Sequence, residues 1–378
     1  MAMVAIMNAD VFTVFKDRLA ARMYFCIYAV SSSMAKLHLG AFSQIQRYRP
    51  YLTFRKLWNA CLVLTSFYTS RRFGSRHPAL PISISIEPTT ACNLGCPECP
   101  SGLKMFSRKT GNVRLDDFQR WIDSMASHLI HLNLYFQGEP FIHPEFLRLV
   151  EYAHQRKIFT STSTNAHFIT ESVARDIVSS GLDQIIVSID GVTQEVYEQY
   201  RVHGKLDKVL EGTRMLVDQK QKMRSPVPHI IFQFLVVAPN EHQIPEVLKL
   251  AEQLGVDEVR LKTAQVYDYE NGNPLLPSDD RYSRYVRRED GTYRVKNELE
   301  NQCWRMWSGC VITWDGRVVP CCFDKDATHA LGNLREHSLS EIWNGKAYRA
   351  FRKMLLESRA GIDICANCSE GTRVWTEA

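Results

Sequence analysis

Cys92, Cys96 and Cys99 are the residues of this sequence whose types and spacing most directly imply chemistry. They stand in a Cys-x3-Cys-x2-Cys spacing within Glu87-Pro88-Thr89-Thr90-Ala91-Cys92-Asn93-Leu94-Gly95-Cys96-Pro97-Glu98-Cys99-Pro100. A loop that gathers three thiolates over so short a span must wrap a compact object, and Gly95 and the prolines suit that turn. Thiolates are the ligands expected for iron–sulfur clusters. Three ligands, rather than four, leave one iron of a cubane open, as a catalytic centre needs. A three-cysteine zinc site with a distant fourth ligand, or a group of reactive thiols, fits the same spacing.

Six more cysteines fall late in the chain, at 303, 310, 321, 322, 365 and 368, while Cys26 and Cys61 stand alone and read as small buried hydrophobes. The first dozen residues lack a basic start followed by an apolar block, so no secretory signal is apparent and the expected location is cytoplasmic. Eleven cysteines in such a chain point to metal rather than disulfides, because the cytosol keeps thiols reduced.

Loops of this kind need a scaffold. Strand-like runs recur at Ile82–Glu87, His131–Phe136, Phe159–Ser163, Gln184–Asp190, Ile230–Val237 and Glu258–Lys262. Helical, amphipathic stretches separate them: Asp116–His128, Pro144–Arg156, Glu171–Ser180, Lys205–Lys222 and His242–Leu254. That alternation predicts a parallel sheet with right-handed crossovers, an α/β open or partial (β/α)6 barrel over residues 81–263. Chemistry in such barrels sits at the C-terminal ends of the strands. The cysteine loop follows the first strand there, Gly138-Glu139-Pro140 the second and Thr164-Asn165 the third, and Ser188 and Asp190 end the fourth.

Residues 264–302 read as a polar, Tyr-rich connection rich in turn residues. Residues 303–378 read as a small cysteine-rich α+β domain. It has a hairpin of Cys310–Ile312 and Arg317–Val319 around Asp315-Gly316, then helices near Ser338–Asn344 and Lys346–Glu357. Residues 1–80 form a basic, helical extension with eleven Lys/Arg and only Asp10 and Asp17, which leaves the rest of the chain mildly acidic. A nucleic-acid-binding role for the whole protein loses support from that split.

The cysteine spacing after the first strand of a partial barrel resembles the radical S-adenosylmethionine (SAM) superfamily over about residues 80–263. The resemblance implies that Cys92, Cys96 and Cys99 bind a 4Fe–4S cluster whose open iron is chelated by SAM. Reductive cleavage would give methionine and a 5′-deoxyadenosyl radical that abstracts hydrogen from substrate. Gly138, Glu139 and Pro140 match the family's segment at the methionine amino group, with Gln137 in place of its first glycine. Ser188 and Arg201 look like its SAM-carboxylate and ribose contacts, and Asn165 like its ribose-side residue; Ser188 and Asn165 also read as ordinary strand-end caps. Glu98 departs from the family, which often carries an aromatic residue there, near the adenine.

Cys303-x12-Gly316-x4-Cys321, followed by Cys365-x2-Cys368, resembles the superfamily's C-terminal SPASM/twitch extension. The resemblance implies one auxiliary 4Fe–4S cluster held by Cys303, Cys321, Cys365 and Cys368, with Cys310 and Cys322 spare or standing in for an assigned ligand. A structural zinc site with four cysteines is the alternative. Relatives of this kind modify peptides or proteins, or oxidise small alcohols or sugars, and draw electrons from a donor such as flavodoxin or ferredoxin. Two other readings compete: a non-catalytic iron–sulfur carrier or scaffold, and an enzyme at a membrane surface acting on a lipid or lipid-linked sugar. The second rests on the expectation that Tyr51–Arg72 forms an amphipathic helix, with Leu52, Phe54, Leu57, Trp58, Cys61, Leu62 and Leu64 apolar and Arg55, Lys56, Arg71 and Arg72 charged. A helical layer packed on the barrel is the alternative for that segment.

Overall fold

The structure is a computed structural model and describes residues 46–74 and 78–368. Six strands, β1 (Ser83–Ile86), β2 (His131–Asn133), β3 (Phe159–Thr164), β4 (Gln184–Ser188), β5 (His229–Val236) and β6 (Glu258–Thr263), pair in sequence order, all parallel. Helix α1 (Phe54–Phe73) precedes them. Helices α2 (Leu115–Met125), α3 (Phe146–Gln155), α4 (Glu171–Ser179), α5 (Gln194–Tyr200), α6 (Leu206–Lys222) and α7 (Ile244–Leu254) lie between strands as crossovers.

Local sequence explains these elements. Phe118, Trp121, Ile122 and Met125 recur at helical spacing and bury one face of α2. The Thr170 side chain accepts from Val173 N and starts α4. Every residue of β4 is buried, as expected of a strand covered on both faces. β2 ends at Asn133, short of the expected Phe136, because the chain must turn into Gly138. Gly138 has φ +76°, and a side chain there would lie 2.4 Å from Thr89 O. Helix α5 was not expected from the sequence.

The C-terminal region differs more. Strands β9 (Gly309–Ile312) and β10 (Arg317–Val319) form the expected hairpin, yet β9 also pairs in parallel with β1, Ser83 opposite Gly309. With β11 (Gly332–Asn333), one nine-stranded sheet runs β11-β10-β9-β1-β2-β3-β4-β5-β6. Any side chain at Gly309 would meet Ser83 O at 1.9 Å, so glycine is what lets the two strands approach. The C-terminal region therefore continues the barrel's sheet. Helices α8 (Leu339–Trp343), with a Ser338/Glu341 capping box, α9 (Lys346–Ser358) and α10 (Asp363–Ala366) complete it.

The connection is more ordered than its turn residues suggest. Strands β7 (Tyr285–Arg287) and β8 (Tyr293–Val295) pair antiparallel within it. Val266 and Tyr285 join Leu94 and Cys96 in a small apolar core, so this segment packs directly on the cysteine loop.

The expectation for Tyr51–Arg72 is corrected. Tyr51 belongs to a preceding 3-10 turn, and the helix begins at Phe54, where the Thr53 side chain accepts from Lys56 N. Lys56, Asn59, Val63, Ser66, Phe67 and Ser70 form its buried face, whereas Phe54 and Trp58 are 64% and 48% exposed. Asn59 exchanges hydrogen bonds with the Leu80 backbone, and Gln302 donates to Phe67 O at 2.7 Å. Among the described residues no helix is long and apolar enough to cross a membrane. Cys26 lies outside the described residues.

Candidate active site

The loop between β1 and α2 is stitched from several sides. Gly95 N donates to Val202 O at 2.9 Å, Glu139 N to Ala91 O at 2.7 Å, and Gly138 N to Ser101 Oγ at 2.9 Å. A side chain at Gly102 would lie 2.6 Å from Cys96 N, so the turn after the third cysteine folds back tightly on the loop. Cys96 is buried, while Cys92 and Cys99 are half-buried. Donors reach the sulfurs: Leu94 N lies 3.5 Å from Cys92 Sγ, and Arg201 Nη1 lies 3.7 Å from Cys96 Sγ. Burial pushes the Cys92 thiol up to about 11 and raises Cys96 as well. Ionising these thiols together requires a cationic partner.

Of the SAM-contact candidates, Gly138, Glu139 and Pro140 follow β2, Asn165 follows β3, Ser188 ends β4 and Arg201 follows α5. The buried Pro140 begins a 3-10 turn, Pro140–Ile142. The Glu139 carboxylate is buried and accepts from Thr164 Oγ1 and Asn165 N, both at 2.7 Å, and from Phe141 N at 3.2 Å. Burial raises its carboxyl to about 7, against the pull of those hydrogen bonds. Asn165 donates through Nδ2 to Asn93 Oδ1 at 2.8 Å, so its amide positions the cysteine loop. Arg201 pairs with the buried Asp190, whose other oxygen accepts from Leu235 N at 2.7 Å. Ser188 is buried at the end of β4, and its hydroxyl has no hydrogen bond to the described residues, which leaves it for a ligand.

At the second site, Cys303, Cys365 and Cys368 are buried and Cys321 is half-buried. Burial and the neighbouring thiols Cys322, Cys303 and Cys368 push Cys321 far up, and burial with Cys303 and Cys368 nearby pushes Cys365 to about 12. Cys303, Cys321, Cys365 and Cys368 are thus neighbours in one place. Cys310 sits on β9 opposite Ile84, in the sheet itself. Cys322 packs with Val311, Val319, Ala327 and Phe136. Among the described residues, no three His, Cys, Asp or Glu side chains are drawn in tightly enough to share one metal ion.

Comparison with known proteins settles the family. The profile of the radical SAM superfamily matches residues 86–251, and that of the SPASM iron–sulfur cluster-binding domain matches residues 303–369. The chain belongs to the radical SAM superfamily. Its cofactors are iron–sulfur clusters and S-adenosylmethionine. This radical SAM chain is 26% identical over 316 residues (75% of this chain, 86% of the relative) to the tungsten-containing aldehyde ferredoxin oxidoreductase cofactor-modifying protein of Pyrococcus furiosus. It is 28% identical over 326 residues (79% and 85%) to the PqqA peptide cyclase of Gluconobacter oxydans. Its fold is that of Streptococcus suis SuiB bound to S-adenosylmethionine, with TM-score 0.59 at 13% identity, covering 90% of this chain and 83% of that one.

Sequence reasoning missed the groups that join the two sites of this radical SAM enzyme. Glu87, at the end of β1, holds Arg108 in a fork of 2.8 and 2.5 Å, both side chains buried, and also accepts from Trp314 N. Arg108 Nε donates to Lys325 O, and Asp326 accepts from Ser107 N and Arg108 N. Glu98 accepts from Tyr267 N at 2.9 Å, and Lys325 Nζ donates to Tyr267 Oη at 2.8 Å. One residue earlier, Val266 O accepts from Asn367 Nδ2 at 2.7 Å, between Cys365 and Cys368. Glu87 adjoins the first motif, and Glu98 and Asn367 lie within the two cysteine motifs, so these three had a positional signal. Arg108, Lys325 and Tyr267 lie outside any motif, so only the fold reveals them.

Proposed function

We propose that this radical SAM enzyme oxidises or otherwise modifies its substrate by hydrogen abstraction, with the C-terminal site as the electron acceptor. In this reading Cys92, Cys96 and Cys99 hold the SAM-binding cluster, and Cys303, Cys321, Cys365 and Cys368 hold the auxiliary one. When bound, these groups supply a hydrogen-abstracting radical and an acceptor for the electron that the substrate then gives up. Glu139 receives an N–H of the methionine amino group of SAM, Ser188 and Arg201 meet its carboxylate and ribose, and Asn165 holds Asn93 and with it the loop. Residues 303–378 serve as an auxiliary-cluster domain on a barrel of residues 81–263.

The observation that carries this reading is the connecting segment, where consecutive residues are bonded to the two cysteine loops, Tyr267 to Glu98 and Val266 to Asn367. Substrate held against residues 264–269 would have both sites as neighbours. A peptide is the first class to test, because a relative similar along most of its length is a peptide cyclase. Anaerobically reconstituted enzyme with dithionite should convert SAM to 5′-deoxyadenosine and methionine. Mass spectrometry of a peptide-enriched extract treated with it should then show a product two hydrogens lighter than its precursor, or newly cross-linked. No SAM cleavage would sink the catalytic reading. Cleavage with modification confined to the small-molecule fraction would move the substrate class away from peptides.

A further inference from the structure

Two arginines of the C-terminal region, Arg352 and Arg359, are completely buried. Arg352 has carbonyl and aromatic neighbours: it donates to Met306 O and Trp343 O and lies 4.3 and 4.4 Å over the rings of Trp343 and Tyr348. Arg359 is placed otherwise. Its backbone N–H donates to Asn301 Oδ1 at 2.9 Å, and Nη1 donates to Gln302 O at 3.0 Å, beside Cys303. Nη2 donates to Cys368 Sγ at 3.4 Å. The same guanidinium is within electrostatic reach of Cys303 and Cys365 as well. A planar, permanently charged group is thus fixed against three of the four cysteines and bonded to one sulfur.

We infer that Arg359 is a positioning residue that sets the reduction potential of the auxiliary cluster, holding it above the value the four cysteines alone would give. This rests on the assignment of Cys303, Cys321, Cys365 and Cys368 as that cluster's ligands. Reduction adds negative charge to an already anionic cluster buried away from water. A buried positive charge and an N–H···S bond therefore stabilise the reduced form more than the oxidised form. For an acceptor that must take an electron from substrate, an upward shift is the useful direction.

The test uses the full chain with Cys92, Cys96 and Cys99 replaced by alanine, so that one cluster remains, reconstituted anaerobically. Iron content comes first, then potentiometry followed by electron paramagnetic resonance. Arg359→Gln should titrate at a lower potential than Arg359, with Arg359→Lys between them, because lysine keeps the charge but not the fork. Pulsed resonance of the reduced cluster should show an exchangeable proton coupling that Arg359→Lys weakens and Arg359→Gln removes. Should Arg359→Gln fail to retain iron, Arg359→Lys carries both measurements alone. Equal potentials and unchanged proton couplings at equal iron content overturn the role of Arg359. No iron with Arg359 intact overturns the ligand assignment instead, and the inference with it.

Discussion

The two cysteine sites gather their sulfurs by opposite means. Cys92, Cys96 and Cys99 lie on one loop, and that loop is oriented by polar groups from the ends of β2 to β5. Cys303, Cys321, Cys365 and Cys368 come from three separated stretches, brought together by β9, the loop after β10 and the helices α9 and α10. The first arrangement is local and surrounded by groups with spare capacity, such as the Ser188 hydroxyl. The second depends on the whole C-terminal fold and is flanked by Tyr348 and Arg359, both fully buried. Damage to the first should appear mainly in chemistry. Damage to the second should appear in folding as well.

The largest effect expected from this contrast is the loss of SAM cleavage. Cys92→Ala, Cys96→Ala and Cys99→Ala should each abolish 5′-deoxyadenosine formation, measured by chromatography, with little change in the urea midpoint of the apoprotein. Iron should fall from about eight to about four atoms per chain in the triple variant. Replacing Cys365 by alanine should instead lower both iron content and the urea midpoint. Equal stability losses at the two sites would erase the contrast.

The Glu87–Arg108 fork is the next largest, because it ties the first cysteine loop to Lys325 and Asp326 of the C-terminal region. Removing one partner of a buried, hydrogen-bonded pair leaves the other charge unpaired, at a cost of about 3–5 kcal/mol. Arg108→Ala should therefore lower unfolding stability by that order in urea melts. It should also disturb both sites together, unlike either cysteine series. A loss below about 1 kcal/mol would mean that the two loops are aligned by other contacts.

A smaller, pH-dependent difference belongs to Glu139. Burial raises its carboxyl from 4.5 to about 7, so the folded protein holds this proton more tightly than the unfolded chain. Its contribution to stability is greatest below pH 4.5 and declines as the pH rises to about 7, by about 3 kcal/mol in all. The ionised carboxylate is the better acceptor for the N–H of the methionine amino group. SAM affinity of the cluster-loaded enzyme should therefore rise with pH, by roughly tenfold per unit below 7, and level off above it. Glu139→Gln should bind SAM more weakly and with a flat pH profile. A slope that survives the substitution would assign the titration to another group.

Sequence reasoning reached different depths in the two regions. The six barrel strands were legible within a few residues because apolar runs and turn residues alternate at regular intervals. The Cys-x3-Cys-x2-Cys loop was legible because its ligands are neighbours in sequence. The pairing of β9 with β1 was not, since it joins residues more than two hundred positions apart and hinges on the space at Gly309. Nor could composition show which way α1 faces. Its polar Asn59 and Ser70 turn inward because they find partners in the body, the Leu80 backbone and the Gln302 amide, while Trp58 turns out. Periodicity reports which residues share a face. It does not report that a polar face has found partners.

The smallest expected effect isolates the C-terminal site from the first loop by one oxygen atom. Val266 N donates to Tyr285 Oη at 2.9 Å, and that hydroxyl donates to Asn367 Oδ1, also at 2.9 Å. Asn367 Nδ2 closes the ring by donating to Val266 O at 2.7 Å. The Tyr285 ring itself is packed face to face on Tyr269, with centroids 4.4 Å apart, so phenylalanine can keep the packing. Tyr285→Phe then removes only the hydroxyl and leaves a buried N–H and an amide oxygen unmatched, a loss of about 1–3 kcal/mol. Asn367 lies between Cys365 and Cys368, so the loosened loop should lose auxiliary iron more readily to a chelator. Cys92, Cys96 and Cys99 make no hydrogen bond to this ring, so SAM cleavage should stay near its original rate. A variant that loses SAM cleavage and auxiliary iron in parallel would show that residues 264–285 bind the two sites into one cooperative unit.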